Sequence, residues 1–386
     1  MARPGARPAA AGDWHARPGR VQHGRAARWH GTRERGARER GARGWGARGL
    51  AIGRGRAEEK VALLGRHLLS VDPPDHTRLR RLMSRALTAR RIAALYEPTS
   101  RYVHGLLDEI GPRDRIDLLA DYALPIAVTV ICELLGVPVD DREDFRRWGL
   151  SLVRAELEDD ASFDGVTEEM EGYLVPFILA QRSRPGAGLT AVLASARDED
   201  KLDDYELISL VYQLFFAGHE SSAYLICNAA YLLLAGNEAG EAGAATKNGE
   251  VVERAIEEVL RYEGPVKTPT WRFPTEDVRL GDVVFRRGEP ILLLLAAADR
   301  DPEEFPQAET FDPWRSEAAH LAFGYGIHHC VGAAVGRMEG RVAVSALLER
   351  HPGAALAIDP AELRWRDNLM MRGVRSLPVR LGPRRS

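Results

Sequence analysis

Lysine is nearly missing from this 386-residue chain: it occurs only as Lys60, Lys201, Lys247 and Lys267, while arginine and alanine abound, as GC-rich coding produces. Cysteine is as scarce. Cys132, Cys227 and Cys330 lie far apart and form no CxxC pair, which excludes a disulfide framework and a zinc knuckle and fits a reducing cytoplasm. No apolar run reaches the roughly 20 residues that span a bilayer, and the N-terminus lacks the apolar core of a secretory signal. The expected protein is soluble and cytoplasmic, with no membrane or nucleic-acid partner. Net charge is also small, at −3.

That small total hides an uneven distribution. Residues 1–56 carry fourteen arginines against Asp13, Glu34 and Glu39, a net of +11, so the remainder carries −14. The segment 1–60 is low-complexity Arg, Gly, Ala and Pro, and "RERGARERGARGWGARG" repeats with a period of five that suits neither helix nor strand. Three readings stay open for it: a basic nucleic-acid-binding tail, an inert disordered tail, or an out-of-frame translation of GC-rich DNA. Residues 61–386 form the folded unit.

There the texture turns helical. Pro73 and Pro74 open a helix in "DPPDHTRLRRLMSRAL", and "DYALPIAVTVICELLGVP" reads as a buried helix closed by Gly136. Asp203 to Leu234 give about 32 residues, roughly 48 Å of helix, apolar on almost every side and therefore buried. Residues 236–250 read as a loop, and "EVVERAIEEVLRYEGP" as a helix stopped by Gly264. "DVRLGDVVFRRGEPILLLLAA" reads as three strands, a last long helix follows Cys330 from about Gly332 to Arg350, and "WRDNLMMRGVRSLPVRL" reads as a closing hairpin. Helices and strands do not alternate, so the fold is mainly α with a minor β part, a single large helical domain with small sheets.

The chemistry concentrates in "HLAFGYGIHHCVG", His320 to Gly332. Cys330 stands at a helix start, where unpaired N–H groups lower a thiol pKa and favour thiolate. Gly324, Gly326 and Gly332 let the backbone approach a flat, bulky object. One thiolate with no second protein ligand suggests an iron already held by a macrocycle. A His-His-Cys zinc site would need adjacent residues to converge on one tetrahedral metal, and a catalytic thiol beside a histidine is a further alternative.

Phe323 to Gly332 resembles the haem-binding loop FxxGxxxCxG of the cytochrome P-450 family at every fixed position. Upstream, Glu258-Val-Leu-Arg261 looks like the family's ExxR motif, whose i, i+3 spacing lets the two side chains pair. "AGHESSA", Ala217 to Ala223, is similar to its oxygen-binding segment. The resemblance covers roughly residues 61–383 and is closest to soluble bacterial members. An early helix and the first strands of the family's main sheet are missing, and the Arg/Gly segment stands in their place.

The resemblance implies the following roles. Cys330 is the axial ligand of haem b, with Phe323, Gly324 and Gly332 shaping its loop. His76, Arg80, Arg272 and His328 contact the haem propionates. Arg315 joins Glu258 and Arg261 in a structural triad. Ala217 and Gly218 leave room for dioxygen, and Glu220 with Ser221 relays protons, Ser221 standing where the family usually has threonine. Phe215, Phe216, Ala217, Val266, Lys267, Thr268, Met370 and Met371 face the substrate. The implied activity is monooxygenation of a mid-sized, largely apolar small molecule such as a polyketide or macrolide, using O2 and electrons from a ferredoxin and its reductase. Arg78, Arg81, Arg337 and Arg341 are candidates to dock that acidic carrier. The competing class is a non-catalytic haem- or ligand-binding protein, or the inactive product of a frame-damaged gene.

Overall fold

A computed structural model describes residues 21–23, 66–158, 162–196, 201–235, 249–315 and 319–383. The expectations for residues 1–20 and 24–60 and for the loop at 236–248 lie outside this set. Within it, strand β1 (Val21–His23) pairs antiparallel with β3 (Arg272–Pro274), so one piece of the low-complexity segment does take a strand register.

Helix α1 (Asp75–Ala86) starts immediately after Pro74, where a missing N–H costs nothing. Helix α2 (Ala89–Ile110) is capped by the Thr88 side chain, which accepts from the Arg91 N–H. β2 (Arg115–Asp117) joins β7 (Pro378–Arg380) and β6 (Ala355–Leu356) in a three-stranded antiparallel sheet of order β2-β7-β6.

Helix α3 (Leu124–Leu135) is buried almost throughout and ends on Gly136 at φ 82°. A Cβ on Gly136 would lie 2.6 Å from the Gly188 Cα. The glycine therefore serves both the left-handed cap and a close backbone approach. Helices α4 (Arg142–Glu158), α5 (Ser162–Ser183) and the short α6 (Leu189–Ala194) follow.

Helix α7 (Asp204–Ala235) is the 32-residue central element. It packs against α3, α5, α8 (Gly249–Glu263) and α10 (Ala333–Arg350), which accounts for its nearly all-round apolar surface. Asn228 on α7 donates to the carbonyls of Glu263 (2.8 Å) and Arg372 (3.2 Å), fastening α8 and the C-terminal segment to it. Helix α8 begins at Gly249, so the last two residues expected in the preceding loop are helical.

The three strands expected after residue 277 become two. β4 (Val278–Leu280) and β5 (Val283–Phe285) form a hairpin, but Ile291 makes only a single bridge to Arg272, and the chain then turns into the short helix α9 (Leu295–Ala298). An unbroken apolar run cannot by itself distinguish strand from buried helix. The closing hairpin is present as an antiparallel bridge between Trp365 and Val374, locked by Arg366 N–H to Gly373 O at 2.9 Å. No helix among the described residues is long and apolar enough to cross a membrane.

Candidate functional site

Cys330 lies just before α10, on a loop folded back on itself. Its N–H donates to Phe323 O at 2.8 Å, Gly324 N–H to Leu321 O at 2.7 Å, and Gly324 takes φ 71°. Cys330 is exposed, yet protein atoms crowd one side of its thiol. That crowding raises its pKa, opposed by the Gly332 N–H and the charges of Arg80 and Arg337. The expected depression by the helix start is therefore outweighed by desolvation. A metal ion that binds a thiol deprotonates it outright, so an iron would supply the missing drive to thiolate.

Arg80 and Arg337 act on the thiol, and further cationic and hydrogen-bonding groups are linked to this region through short contacts. Arg80 donates to His329 O, and its charge acts on Cys330. The His76 and His328 rings lie 4.2 Å apart. His76 Nε2 is buried with no hydrogen-bond partner, a state that costs free energy unless a ligand satisfies it. Burial and the Arg80 charge both lower the His76 pKa. Arg272 donates to Thr270, and Asp72 acts on it electrostatically, while Asp72 O accepts the His76 N–H at 3.0 Å. These residues fit an anionic, flat group such as a porphyrin with two propionates. His329, which has no expected role, contributes its carbonyl to Arg80.

The bracing of this loop is traceable bond by bond. Glu258 and Arg261 are buried and joined by two hydrogen bonds of 2.8 and 2.7 Å. Arg315 reaches Glu258 Oε1 at 3.3 Å, and Asp312 N–H reaches the same oxygen at 3.0 Å. Arg261 also holds Asp299 O at 2.9 Å, and the Asp299 carboxylate accepts the Leu321 N–H at 2.6 Å, at the start of the cysteine loop. Burial pushes the Asp299 carboxyl up to about 6, opposed by that N–H and by His320 and Arg261. Asp299 was not singled out in the sequence; an Asp in an Asp- and Pro-rich meander carries no local signal.

On α7, Ala217 is exposed in the middle of a mostly buried helix and Ser221 is half-buried one turn on, so this face is not filled by neighbouring protein. The Ser221 hydroxyl donates to Ala217 O at 2.7 Å. Gly218 points elsewhere: a Cβ there would sit 3.1 Å from Ile131 Cδ1, so it admits α3 rather than a ligand. Glu220 is buried, and its Oε1 accepts from Arg366.

The expected substrate-facing residues divide. Phe215 is fully buried, its ring 5.4 Å from Phe145 and 4.8 Å from His219, and it belongs to the core. Phe216 is half-buried and stacks on Tyr212. Val266 bridges Met371, Lys267 N–H donates to Met370 O at 2.7 Å, and the Thr268 hydroxyl reaches Leu369 O at 3.4 Å. These pieces form one strap, in which Thr268 and Met371 are buried and Val266, Lys267 and Met370 are half-buried. Among the candidate carrier-docking arginines, Arg337 is bound by Glu257 through two hydrogen bonds, Arg341 by Glu253 and Arg78 by Glu206.

Glu339 on α10 was also missed. It is buried, Oε2 has no hydrogen-bond partner, and burial pushes its carboxyl up to about 8 against one hydrogen bond from Ser222. An acid raised on folding binds its proton more tightly in the native state, so stability is greatest below the unfolded value of 4.5 and falls as pH rises toward 8. The full displacement corresponds to something on the order of 4–5 kcal/mol. Glu339→Gln is therefore expected to be the more stable protein at pH 8, with the advantage shrinking toward pH 5. Urea melts of both proteins across this range check it, and parallel curves would refute it.

The family model for cytochrome P450 matches residues 244–352. Curated relatives include the cytochrome P450 monooxygenase PikC of Streptomyces venezuelae, 43% identical over 326 residues, covering 83% of this chain and 77% of that one. Mycinamicin IV hydroxylase/epoxidase of Micromonospora griseorubida is 39% identical over 316 residues, with 81% and 79% covered. Among solved structures, the tirandamycin C-bound P450 monooxygenase TamI superposes with TM-score 0.75 at 40% identity, covering 83% of this chain and 79% of that one. With identity of 39% or more across 77–79% of those proteins, this chain belongs to the cytochrome P450 family.

Proposed function

We propose that Cys330 is the axial ligand of the haem and that the enzyme hydroxylates or epoxidises a mid-sized, largely apolar secondary metabolite of the polyketide or macrolide kind. Family membership makes the chain an oxygen-incorporating oxidoreductase with haem b as cofactor, supplied with O2 and with electrons by a redox partner. His76, Arg80, Arg272 and His328 would hold the propionates, and Phe323, Gly324 and Gly332 keep the cysteine loop tight. Haem held by a thiolate supplies electron donation that favours O–O cleavage.

The chain's own groups bind, orient and move protons. Ser221 Oγ and the Glu220 carboxyl form the proton relay beside the space left by Ala217. The half-buried members of the strap, Val266, Lys267 and Met370, with Phe216, present a mainly apolar surface to the substrate, while Thr268 and Met371 pack behind them. The convergence of His76, Arg80 and His328 on Cys330 carries the cofactor reading. The substrate class rests on this apolar lining and on relatives that act on mycinamicin IV or bind tirandamycin C. A ferredoxin with its reductase is the proposed donor; its carboxylates would compete with Glu253, Glu257 and Glu206 for Arg341, Arg337 and Arg78.

The test is turnover of the haem-loaded protein with a bacterial ferredoxin, its reductase and NADPH on a panel of macrolides and linear polyketides under 18O2. One or more panel members should shift the haem spectrum on binding and gain a single labelled oxygen. Binding shifts and labelled products confined to small aromatics or fatty acids would overturn the substrate class.

A further inference from the structure

We infer that Arg366 is the positioning residue of the proton relay: it pins one oxygen of Glu220 and leaves the other to handle the proton. This rests on the proposed relay role of Glu220.

Four observations converge. Glu220 and Arg366 come from elements 146 residues apart, and each side chain is only 3% exposed. Arg366 Nη1 donates to Glu220 Oε1, whereas Glu220 Oε2 is buried with no hydrogen-bond partner. The same Nη1 donates to the Tyr224 hydroxyl at 2.9 Å, and Tyr224 sits on α7 one turn beyond Glu220, on the same face. The hairpin is fitted to that tyrosine: a Cβ on Gly373 would meet the Tyr224 ring at 2.1 Å, and Arg366 N–H is bonded to Gly373 O.

The chemistry follows from the two unequal oxygens. A buried carboxylate needs a counter-ion or it takes up a proton. Arg366 supplies that charge at Oε1, in a fixed direction set by Tyr224 and the hairpin backbone. Oε2 is then the atom that receives a proton from solvent-side water and passes one on toward Ser221, with no net change at Glu220 over a cycle. Arg366 also stands two residues before Asn368, whose side chain accepts the N–H groups of Met370 and Met371. The segment expected to touch substrate is thus joined within a few residues to the relay acid.

The experiment compares haem-loaded Arg366→Met, Arg366→Lys, Glu220→Gln and Glu220→Gln/Arg366→Met with the parent. Expected first is a loss of coupling: product formed per NADPH consumed falls about tenfold in Arg366→Met and in Glu220→Gln, and the double variant is no worse than either. The spectral binding constant for substrate stays within about twofold, and Arg366→Lys recovers part of the coupling. The second readout needs no turnover. The melting temperature of Arg366→Met should fall as pH rises from 5 to 8, because an unpaired buried acid stabilises the fold only while protonated, and Glu220→Gln in the double variant should erase that slope. Full coupling in Arg366→Met beside poor coupling in Glu220→Gln overturns the inference and leaves the relay standing. Full coupling in Glu220→Gln overturns both. A pH slope no different from that of the double variant also overturns the inference.

Discussion

Cys330→Ala is expected to eliminate turnover and the strongly red-shifted carbon monoxide band of a thiolate-ligated haem, while barely altering the stability of the haem-free chain. The two halves of this expectation have separate origins. The Cys330 residue is exposed and fills no core position, and the hydrogen bond that closes the loop is made by its backbone, to Phe323 O. Alanine keeps that bond. Substitutions of such groups stay within about 0.5 kcal/mol, or roughly 1–2 °C in a chain of this size. The spectral loss is total because no other side chain can replace the sulfur: Cys132 and Cys227 are buried, with desolvation pushing Cys132 up to about 12 and Cys227 well above the ordinary thiol value. Their alanine variants should keep the band. Reduced difference spectra and haem-free thermal melts of the three variants provide the check. A thiolate band surviving in Cys330→Ala would remove the basis of the proposed function.

Features set by near neighbours in sequence were legible. The central helix was placed to within one residue at each end, because all-round apolarity sustained over 32 residues admits few other structures. The cysteine loop and the Glu258–Arg261 pair were legible because each is a short motif whose partners lie within one turn or one loop. The run Ile291 to Ala298 has the composition of a strand, but Leu293 and Leu294 are 41% and 59% exposed, and nothing local reveals that only Ile291 finds a bridge partner. The Cys330 thiol departs from the expectation because a helix end supplies nearby dipoles, whereas the protein crowded behind the sulfur comes from distant parts of the chain and desolvates it. Arg366, Asp299 and Glu339 were invisible for a shared reason. Each acquires its role from a residue far along the chain, and Glu220, isolated in an apolar helix, announced only that a cation was needed somewhere.

Arg261 is where the second large effect is expected. Arg261→Met should destabilise the fold by about 3–5 kcal/mol, a large share of the 5–15 kcal/mol that domains generally possess. Removing the guanidinium leaves Glu258 buried, with only Asp312 N–H and a longer contact from Arg315. The loss extends beyond charge. A guanidinium has five N–H donors, and here five acceptor contacts are made: both oxygens of Glu258 and the carbonyls of Asp299, Ala308 and Thr310. Those carbonyls belong to the meander that leads into the cysteine loop. Lysine offers three donors on a narrow tip and cannot satisfy this fork, so Arg261→Lys should lose nearly as much as Arg261→Met and should also retain less haem per chain. Urea unfolding with linear extrapolation measures the first effect, and pyridine haemochrome content after purification measures the second. If Arg261→Lys matched the parent within 1 kcal/mol and held a full complement of haem, charge alone would suffice at this position, and the five-bond geometry would not be what ties α8 to the loop bearing Cys330.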